Sequence, residues 1–145
     1  MTKITKLLTV FFIFLNLINS ALAENTFFDE GKKKYNEKKF EESKFIFQRS
    51  IVFNPKNAKS YLFLAKIYNL ENNLKEEEKN LKTSILLDPT NEEATYMIIN
   101  IELKKSNYSE VRELTKTFVK ICKTLCEKEK LILESLKNSE PKNES

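Results

Sequence analysis

Two cysteines and several clusters of glutamate are the side chains of this sequence that could do chemistry. Cys122 and Cys126 could form a disulfide, bind a metal ion or act as a redox pair. Their spacing is not the CxxC of thiol oxidoreductases, and two thiolates without histidine do not complete a structural zinc site. Glutamates cluster at 76–78 and at 92–93, and a pair of carboxylates could serve a hydrolase. Because these glutamates alternate with lysines in a helical period, an exposed helix surface explains them better.

The residues that are missing exclude most kinds of catalysis. The sequence contains no histidine, which removes histidine-based acid–base and nucleophilic sites. Gly31 is the only glycine, so neither a phosphate-binding loop nor a dinucleotide fingerprint can form. Aspartate occurs only at positions 29 and 88, too few for a calcium loop. We therefore expect no enzyme activity, no cofactor, no metal ion and no small-molecule substrate.

The elements that carry these residues are predicted to be helices throughout. Glycine and proline are scarce, lysine, glutamate, leucine and asparagine are abundant, and apolar residues follow a helical period. The predicted helices are 25–37, 40–53, 58–71, 74–87, 92–105, 108–122 and 126–137. The longer breaks fall at Asn54–Asn57 and Asp88–Asn91, where proline stops one helix and asparagine can begin the next.

A pattern of residues returns after 34 positions. The identical pairs are Ser50 and Ser84, Ile51 and Ile85, Pro55 and Pro89, and Asn57 and Asn91. A period of this length indicates helix–turn–helix repeats that stack, because one repeat is too small to bury its own apolar face. Stacked repeats present surfaces to other molecules, so the pattern favours binding over catalysis.

The sequence resembles tetratricopeptide-repeat (TPR) proteins, whose repeat consists of two antiparallel helices, A and B. The residues that carry the resemblance are Tyr61, Leu64, Ala65, Tyr68, Leu74, Leu81 and Pro89 in the second repeat, Gly31, Phe40, Ser43, Phe47, Ser50 and Pro55 in the first, and Ile98, Tyr108 and Val111 in the third. The resemblance implies an all-α fold, a right-handed superhelical stack of antiparallel helix pairs. It implies a TPR domain at 24–138, with repeats at about 24–57, 58–91 and 92–125, a capping helix at about 126–137, and a disordered tail at 139–145.

Some residues depart from the TPR pattern. Glu77 stands where a small apolar residue is expected, so its side chain should reach outward or the helices should separate locally. The departures in the third repeat are Ile99, Thr115, Phe118 and Lys123. We expect this last repeat to pack atypically, with the final helix covering the end of the stack.

The first 23 residues are predicted to be a signal peptide. Lys3 and Lys6 precede an apolar run, and Ala21–Ala23 gives the small-x-small pattern of a cleavage site. Cleavage after Ala23 would place the protein in the periplasm of a bacterium or outside the cell. The loss of two lysines would lower the formal charge from +4 to +2. The alternative is an uncleaved membrane anchor, at the lower limit of spanning length.

Export also affects the partners and the two cysteines. Interleaved charge and an exported location both argue against nucleic acid as a partner. Cys122 and Cys126 would enter a compartment where disulfides persist, and a bond between them would join the last repeat to the capping helix. If a helix instead continued through 123–125, the two side chains would be too far apart to bond. Free thiols and a redox role are the alternatives to a structural disulfide.

The resemblance implies a concave face lined by the A helices. The residues predicted to bind a peptide there are Lys32, Tyr35, Asn36, Lys66, Asn69, Tyr96 and Asn100. Their ammonium groups suit a carboxylate, their amides suit a peptide backbone, and their rings suit apolar side chains; the alternative is that they are ordinary solvated positions. The predicted function is a non-catalytic, exported adaptor or scaffold that binds a peptide segment or partner protein of the cell envelope. The alternative is an inner-membrane-anchored assembly or quality-control factor with an uncleaved leader, which would then contact the membrane.

Overall fold

The computed structural model describes residues 27–139. The predicted signal peptide, 1–23, and residues 140–145 of the predicted tail lie outside the described residues. The described residues form helices and no strand: α1 at 27–36, α2 at Phe40–Phe53, α3 at Ala58–Leu70, α4 at Leu74–Leu87, α5 at Glu92–Lys104, α6 at Tyr108–Ile121 and α7 at Lys128–Ser139. The predicted all-helical class is confirmed. From the end of α1 onward each predicted helix end lies within two residues of the observed one, and α7 includes Ser139, the first residue of the predicted tail. None of the helices in 27–139 is long and apolar enough to cross a membrane.

A boundary after Ser60 divides the chain into two compact units. In the described part of the N-terminal unit, α2 buries Phe47 fully. The hydroxyl of Ser43 donates a hydrogen bond of 2.9 Å to the backbone carbonyl of Gly31 on α1. The hydroxyls of Ser50 and Ser60 lie 2.9 Å apart and share a second buried hydrogen bond. Small polar side chains can therefore line the contact between helices, because each one has a partner.

The C-terminal unit contains two apolar clusters that meet at α5. The cluster that α5 shares with α3 and α4 contains Leu62, Ala65, Leu81, Ala94, Ile98 and Ile101. The cluster that it shares with α6 and α7 contains Ile99, Val111, Phe118, Ile132 and Leu136. Helix α5 is thus buried on opposite sides, and α7 packs against both α5 and α6.

The turns between helices A and B of each repeat have the same geometry. A residue with positive φ stands at the same place in all three, at Lys38, Asn72 and Ser106, with φ of 60°, 56° and 58°. The N–H of the next residue then donates to a carbonyl five positions back, at 2.9–3.0 Å. This bond closes the end of helix A, as a left-handed cap does in general. The 34-residue period therefore extends to the backbone of the third repeat, where the sequence pattern is weak.

The turns after the first and second repeats are closed by side-chain oxygens. Asn54 and Asp88 each accept a hydrogen bond from the N–H two residues later, at 2.9 and 3.1 Å. Asn57 and Asn91 each accept from the N–H three residues later, at 3.1 and 3.0 Å, at the start of the next helix. The predicted proline breaks coincide with these turns.

One pair of equivalent positions on helices A and B changes in reciprocal size from repeat to repeat. The residues at these two positions, in chain order, are Gly31 with Phe47, Ala65 with Leu81, and Ile99 with Thr115. A Cβ atom added to Gly31 would lie only 2.8 Å from the ring of Phe47. As the helix A residue grows, the helix B residue shrinks, so that the volume of each pair stays similar and the interior stays close-packed. The departures predicted at Ile99 and Thr115 therefore compensate each other.

Candidate functional site

A groove with a volume of about 550 Å³ opens in the C-terminal unit between α3, α4, α5 and α7. We call it the amide groove, and its lining residues are Asn69, Glu77, Met97, Asn100, Ile101, Leu103, Lys104, Ser135 and Ser139. The hydroxyl of Tyr108 donates to the carbonyl of Ser139 over 2.7 Å and thereby ties the end of α7 to the start of α6. The volume is in the range of about 300–1,000 Å³ that is usual for ligand sites.

Asn100 and Lys104 are two polar side chains that the amide groove offers to a ligand. They lie one helical turn apart on α5, and both line the groove. Neither side chain makes a hydrogen bond or an ion pair with any residue in 27–139. An amide can donate to and accept from a peptide backbone, and an ammonium group can pair with a carboxylate. Met97 and Leu103 add an apolar wall, in which the flexible methionine can adapt to different side chains.

A buried carboxylate forms part of the same wall. Glu77 is only 4% exposed, and the side-chain nitrogen of Asn69 donates to its Oε1 over 2.9 Å. Of the two alternatives expected for Glu77, an outward side chain is wrong, because its carboxylate is buried and bound by an amide from α3. One N–H of Asn69 is engaged by Glu77, so this side chain still offers a ligand its carbonyl oxygen and its second N–H.

Two other predicted residues of the C-terminal unit lie outside the amide groove. Tyr96 lines a neighbouring pocket of about 490 Å³ together with Glu92, Glu93, Met97, Thr124 and Leu125. Met97 borders both cavities, so the pocket adjoins the groove. The ammonium group of Lys66 is 2.7 Å from a carboxylate oxygen of Glu93. Lys66 therefore already has a partner, which its sequence position did not indicate.

The remaining predicted residues belong to the N-terminal unit. Lys32 and Asn36 are exposed on α1, and the half-buried ring of Tyr35 lies edge-on to Phe40, with 5.4 Å between ring centroids. Lys104 occupies the position of Asn36 two repeats later. Applying the 34-residue offset twice to Asn36 would therefore have identified Lys104, which sequence reasoning missed.

Solved structures show which fold these helices form. The TPR domain of Arabidopsis OM64 matches with a TM-score of 0.71 and 16% sequence identity, over 82% of this chain and 98% of that chain. This chain has the TPR fold. The Yersinia enterocolitica type III secretion translocator chaperone SycD matches with a TM-score of 0.70 at 13% identity, over 79% of this chain and 83% of that chain. The second TPR of Spaghetti (RPAP3), bound to the HSP90 peptide SRMEEVD, matches with a TM-score of 0.62 at 21% identity, over 68% of this chain and 92% of that chain. No protein-family description and no curated protein matches the sequence.

The cysteines of this chain lie in the turn between α6 and α7. Their Sγ atoms are 2.07 Å apart, a disulfide distance, and their Cα atoms are 5.3 Å apart. Helix α6 ends at Ile121, and Cys122 is extended, with φ −61° and ψ 143°. The chain therefore turns between the two cysteines and does not continue as a helix, which removes the geometric objection to a bond. We call residues 122–126 the cysteine turn.

A carboxylate from α5 binds the backbone of the cysteine turn. Glu92 accepts hydrogen bonds from the N–H groups of Lys123 at 2.6 Å, Thr124 at 3.0 Å and Leu125 at 3.2 Å. The hydroxyl of Thr124 donates to the same carboxylate. These donors, with the N–H of Lys123 first, lower the pKa of Glu92 to about 2.

The sequence of the cysteine turn explains why it needs Glu92. The two earlier turns supply their own acceptors from an Asn or Asp at the first position and an Asn at the fourth. Here Cys122 and Leu125 stand at those places, and Lys123 replaces a proline and so adds an N–H. The N–H groups of Lys123 and Thr124 are therefore left without local side-chain acceptors, and the carboxylate of Glu92 binds both of them together with the N–H of Leu125.

Proposed function

We propose that this TPR domain is a non-catalytic adaptor that holds a peptide segment of a partner protein in the amide groove. The observation that carries the proposal is that Asn100 and Lys104 have no protein partner in 27–139 and lie beside the apolar wall of Met97 and Leu103. An extended segment would exchange backbone hydrogen bonds with Asn100. Its acidic side chain or C-terminal carboxylate would pair with Lys104.

Structures of similar fold support a peptide as the ligand class. The second TPR of RPAP3 was solved with the HSP90 peptide SRMEEVD, which carries three acidic residues and a C-terminal carboxylate. PcrH, which matches this chain with a TM-score of 0.68 at 12% identity over 79% of this chain and 90% of that chain, was solved with the chaperone-binding region of PopD. The free ammonium group of Lys104 makes an acidic segment the best candidate for this chain.

The proposed location is the bacterial cell envelope, on the strength of the leader pattern that ends at Ala23. In this setting the adaptor would be periplasmic or secreted and would recruit other envelope proteins. The second candidate is an assembly or quality-control factor held at the inner membrane by an uncleaved leader. N-terminal sequencing of the protein from its native host separates the two, because the first residue would be Glu24 after cleavage and Met1 without it.

A photo-crosslinking experiment in the native envelope fraction tests the binding site. A photoreactive amino acid at position 100 should capture one segment of one partner, identified by mass spectrometry, whereas the same amino acid at Lys75, exposed on α4 outside the groove, should not. The captured segment is then synthesised and titrated by calorimetry. Lys104→Ala should weaken it about tenfold, the effect of losing one charge-assisted hydrogen bond, and Lys75→Ala should leave it unchanged. Identical adducts from positions 100 and 75, or equal affinity for both alanine variants, would refute the proposed site.

A further inference from the structure

A second groove lies between α6 and α7 in the C-terminal unit. This α6–α7 groove has a volume of about 470 Å³ and is lined by Arg112, Thr115, Lys116, Val119, Lys120, Glu129, Leu133 and Leu136. It shares no lining residue with the amide groove. Its base is apolar and one rim is basic, so it differs from the amide groove in chemistry as well as in position.

The apolar residues of the α6–α7 groove are more exposed than their counterparts one repeat earlier. Leu133 is 50% exposed, whereas Ile99, which holds the same place on α5, is completely buried. Val119 is 43% exposed, and its counterpart Ile85 is only partly exposed and packs against a core cluster. In the α6–α7 groove, therefore, apolar residues that are packed against other helices one repeat earlier remain exposed.

The repeat geometry indicates what kind of element covers such a surface. Helix α5 begins and ends 34 residues after α3, and α7 follows α5 at nearly the same interval. Helix α7 thus stands in the place of an A helix. The counterpart of α7 one repeat earlier is α5, and its surface is covered by the B helix α6, whose Val111 and Phe118 lie in one cluster with Ile99. The element that fits over Leu133 is accordingly another α-helix with an apolar stripe.

The charges along the rim of the α6–α7 groove indicate which residues should lie beside the apolar stripe of that helix. Arg112, Lys116 and Lys120 follow one another at intervals of four residues along α6, and Glu129 is the only carboxylate that lines the groove. Three cations against one carboxylate give a local net charge of +2. Lys116 pairs with Glu113 at 2.7 Å, but both side chains are about two-thirds exposed, and such a pair is weak.

The comparison with the preceding repeat strengthens the charge argument. Glu78, at the place of Arg112, accepts from Lys105 at 2.6 Å and from Lys82 at 2.7 Å. In that repeat the carboxylate of Glu78 is thus the acidic group between α4 and the helix pair that follows. In the α6–α7 groove the residue at that place is the cation Arg112, so an occupant with acidic residues is complementary in charge to this rim.

We propose that the α6–α7 groove binds an amphipathic α-helix of another protein, with an apolar stripe against Leu133 and Val119 and acidic residues beside Arg112, Lys116 and Lys120. This is a second partner site, independent of the peptide proposed for the amide groove. The protein would then connect two partners, one recognised as an extended segment and the other as a helix.

A pair of designed peptides tests the proposal on the mature chain. Each is a stapled helix of about four turns that carries Val, Leu and Phe at the spacing of Val111, Leu114 and Phe118. One peptide has glutamate at every flanking position, and the other has lysine. Fluorescence anisotropy at low and high salt should show binding of the glutamate peptide that weakens with salt and is at least about tenfold tighter than that of the lysine peptide. Equal binding of both peptides, or no binding of the glutamate peptide, would overturn the proposal.

Variants of the groove locate the peptide. Leu133→Glu should weaken the glutamate peptide at least about tenfold, because half-exposed apolar surface is replaced by a repelling charge. Its matched control is Leu86→Glu, at a leucine that is 80% exposed on α4, which should bind as the parent does. Circular dichroism verifies that both variants keep their helix content. Unchanged binding by Leu133→Glu would overturn the proposal, and so would a dimer, seen by analytical ultracentrifugation, that Leu133→Glu dissociates, because the occupant would then be a second copy of this chain.

Discussion

The contact between Gly31 and Phe47 sets a limit on the size of the residue at position 31. Alanine there would gain about 1 kcal/mol of helix preference over glycine. Its Cβ, however, would lie 2.8, 3.0 and 3.1 Å from three ring carbons of Phe47, and overpacking a closed contact costs about 1–3 kcal/mol. The ring has little room to move, because Phe47 is fully buried and Phe28 packs against it with 5.8 Å between centroids. We therefore expect Gly31→Ala to lower the free energy of unfolding by up to about 2 kcal/mol.

Urea unfolding followed by circular dichroism measures this change. The informative control is the double variant Gly31→Ala/Phe47→Leu, which reproduces the Ala65 and Leu81 pair of the second repeat. In the leucine background alanine should no longer collide, so the two substitutions should couple favourably by about 1–3 kcal/mol. If Gly31→Ala raised the free energy of unfolding by the full helix preference, or if the coupling were zero, the steric reasoning would be wrong.

Three further predictions concern the turns. Lys38→Gly should stabilise the protein by about 0.5 kcal/mol, because Lys38 has positive φ and glycine adopts that region without steric cost. The control Asn72→Gly should stabilise the protein less in thermal melts, because asparagine tolerates this conformation. Equal stabilisation by the two substitutions would contradict this reasoning. The pKa of Glu92 is lowered from 4.5 to about 2, so its ionised carboxylate should protect the amides of the cysteine turn above pH 4.5 and lose that effect as the pH falls through 2; amide exchange measures this, and Glu92→Gln should show the loss already at neutral pH. Reduction of a bond between Cys122 and Cys126 should lower stability by about 2 kcal/mol at most, because the loop it closes is so short. Thermal melts with and without reductant test this, and two free thiols in mass spectrometry of the protein purified from its native host would show that no bond exists.

The helices were predictable because their ends are encoded locally. Prolines and capping asparagines lie at the turns after the first and second repeats, and a helix end marked by such residues can be read without knowledge of the rest of the chain. The reciprocal pairs, which are Gly31 with Phe47, Ala65 with Leu81 and Ile99 with Thr115, were predicted only in part. Ile99 and Thr115 stand out separately as departures, and their compensation becomes visible only when helices A and B are seen in contact.

The residues of the candidate site were predicted only in part, because positions that recur with the repeat can be read locally and contacts between distant residues cannot. Asn69 and Asn100 were predicted because they occupy recurrent positions on A helices, and both line the amide groove. Lys66 was predicted to bind a peptide, and its ammonium group is paired with Glu93, twenty-seven residues away. The role of Glu92 was missed, because its partners lie 31 to 33 residues further along and all but the hydroxyl of Thr124 are backbone groups, which have no signature in the sequence.

The reciprocal pairs also determine where this chain can be recombined. Both members of each pair lie within one repeat, so a crossover placed in a turn between repeats moves a large residue together with its small partner. A crossover placed between helices A and B would instead join Gly31 to a leucine, leaving a void, or Ala65 to a phenylalanine, forcing a collision. Chimaeras of this chain should therefore tolerate junctions at positions 54–57 and 88–91 far better than junctions at 36–39 and 70–73. The unit that can be exchanged is thus the complete helix pair, because its two helices are fitted to each other and cannot be replaced singly by those of a neighbouring repeat.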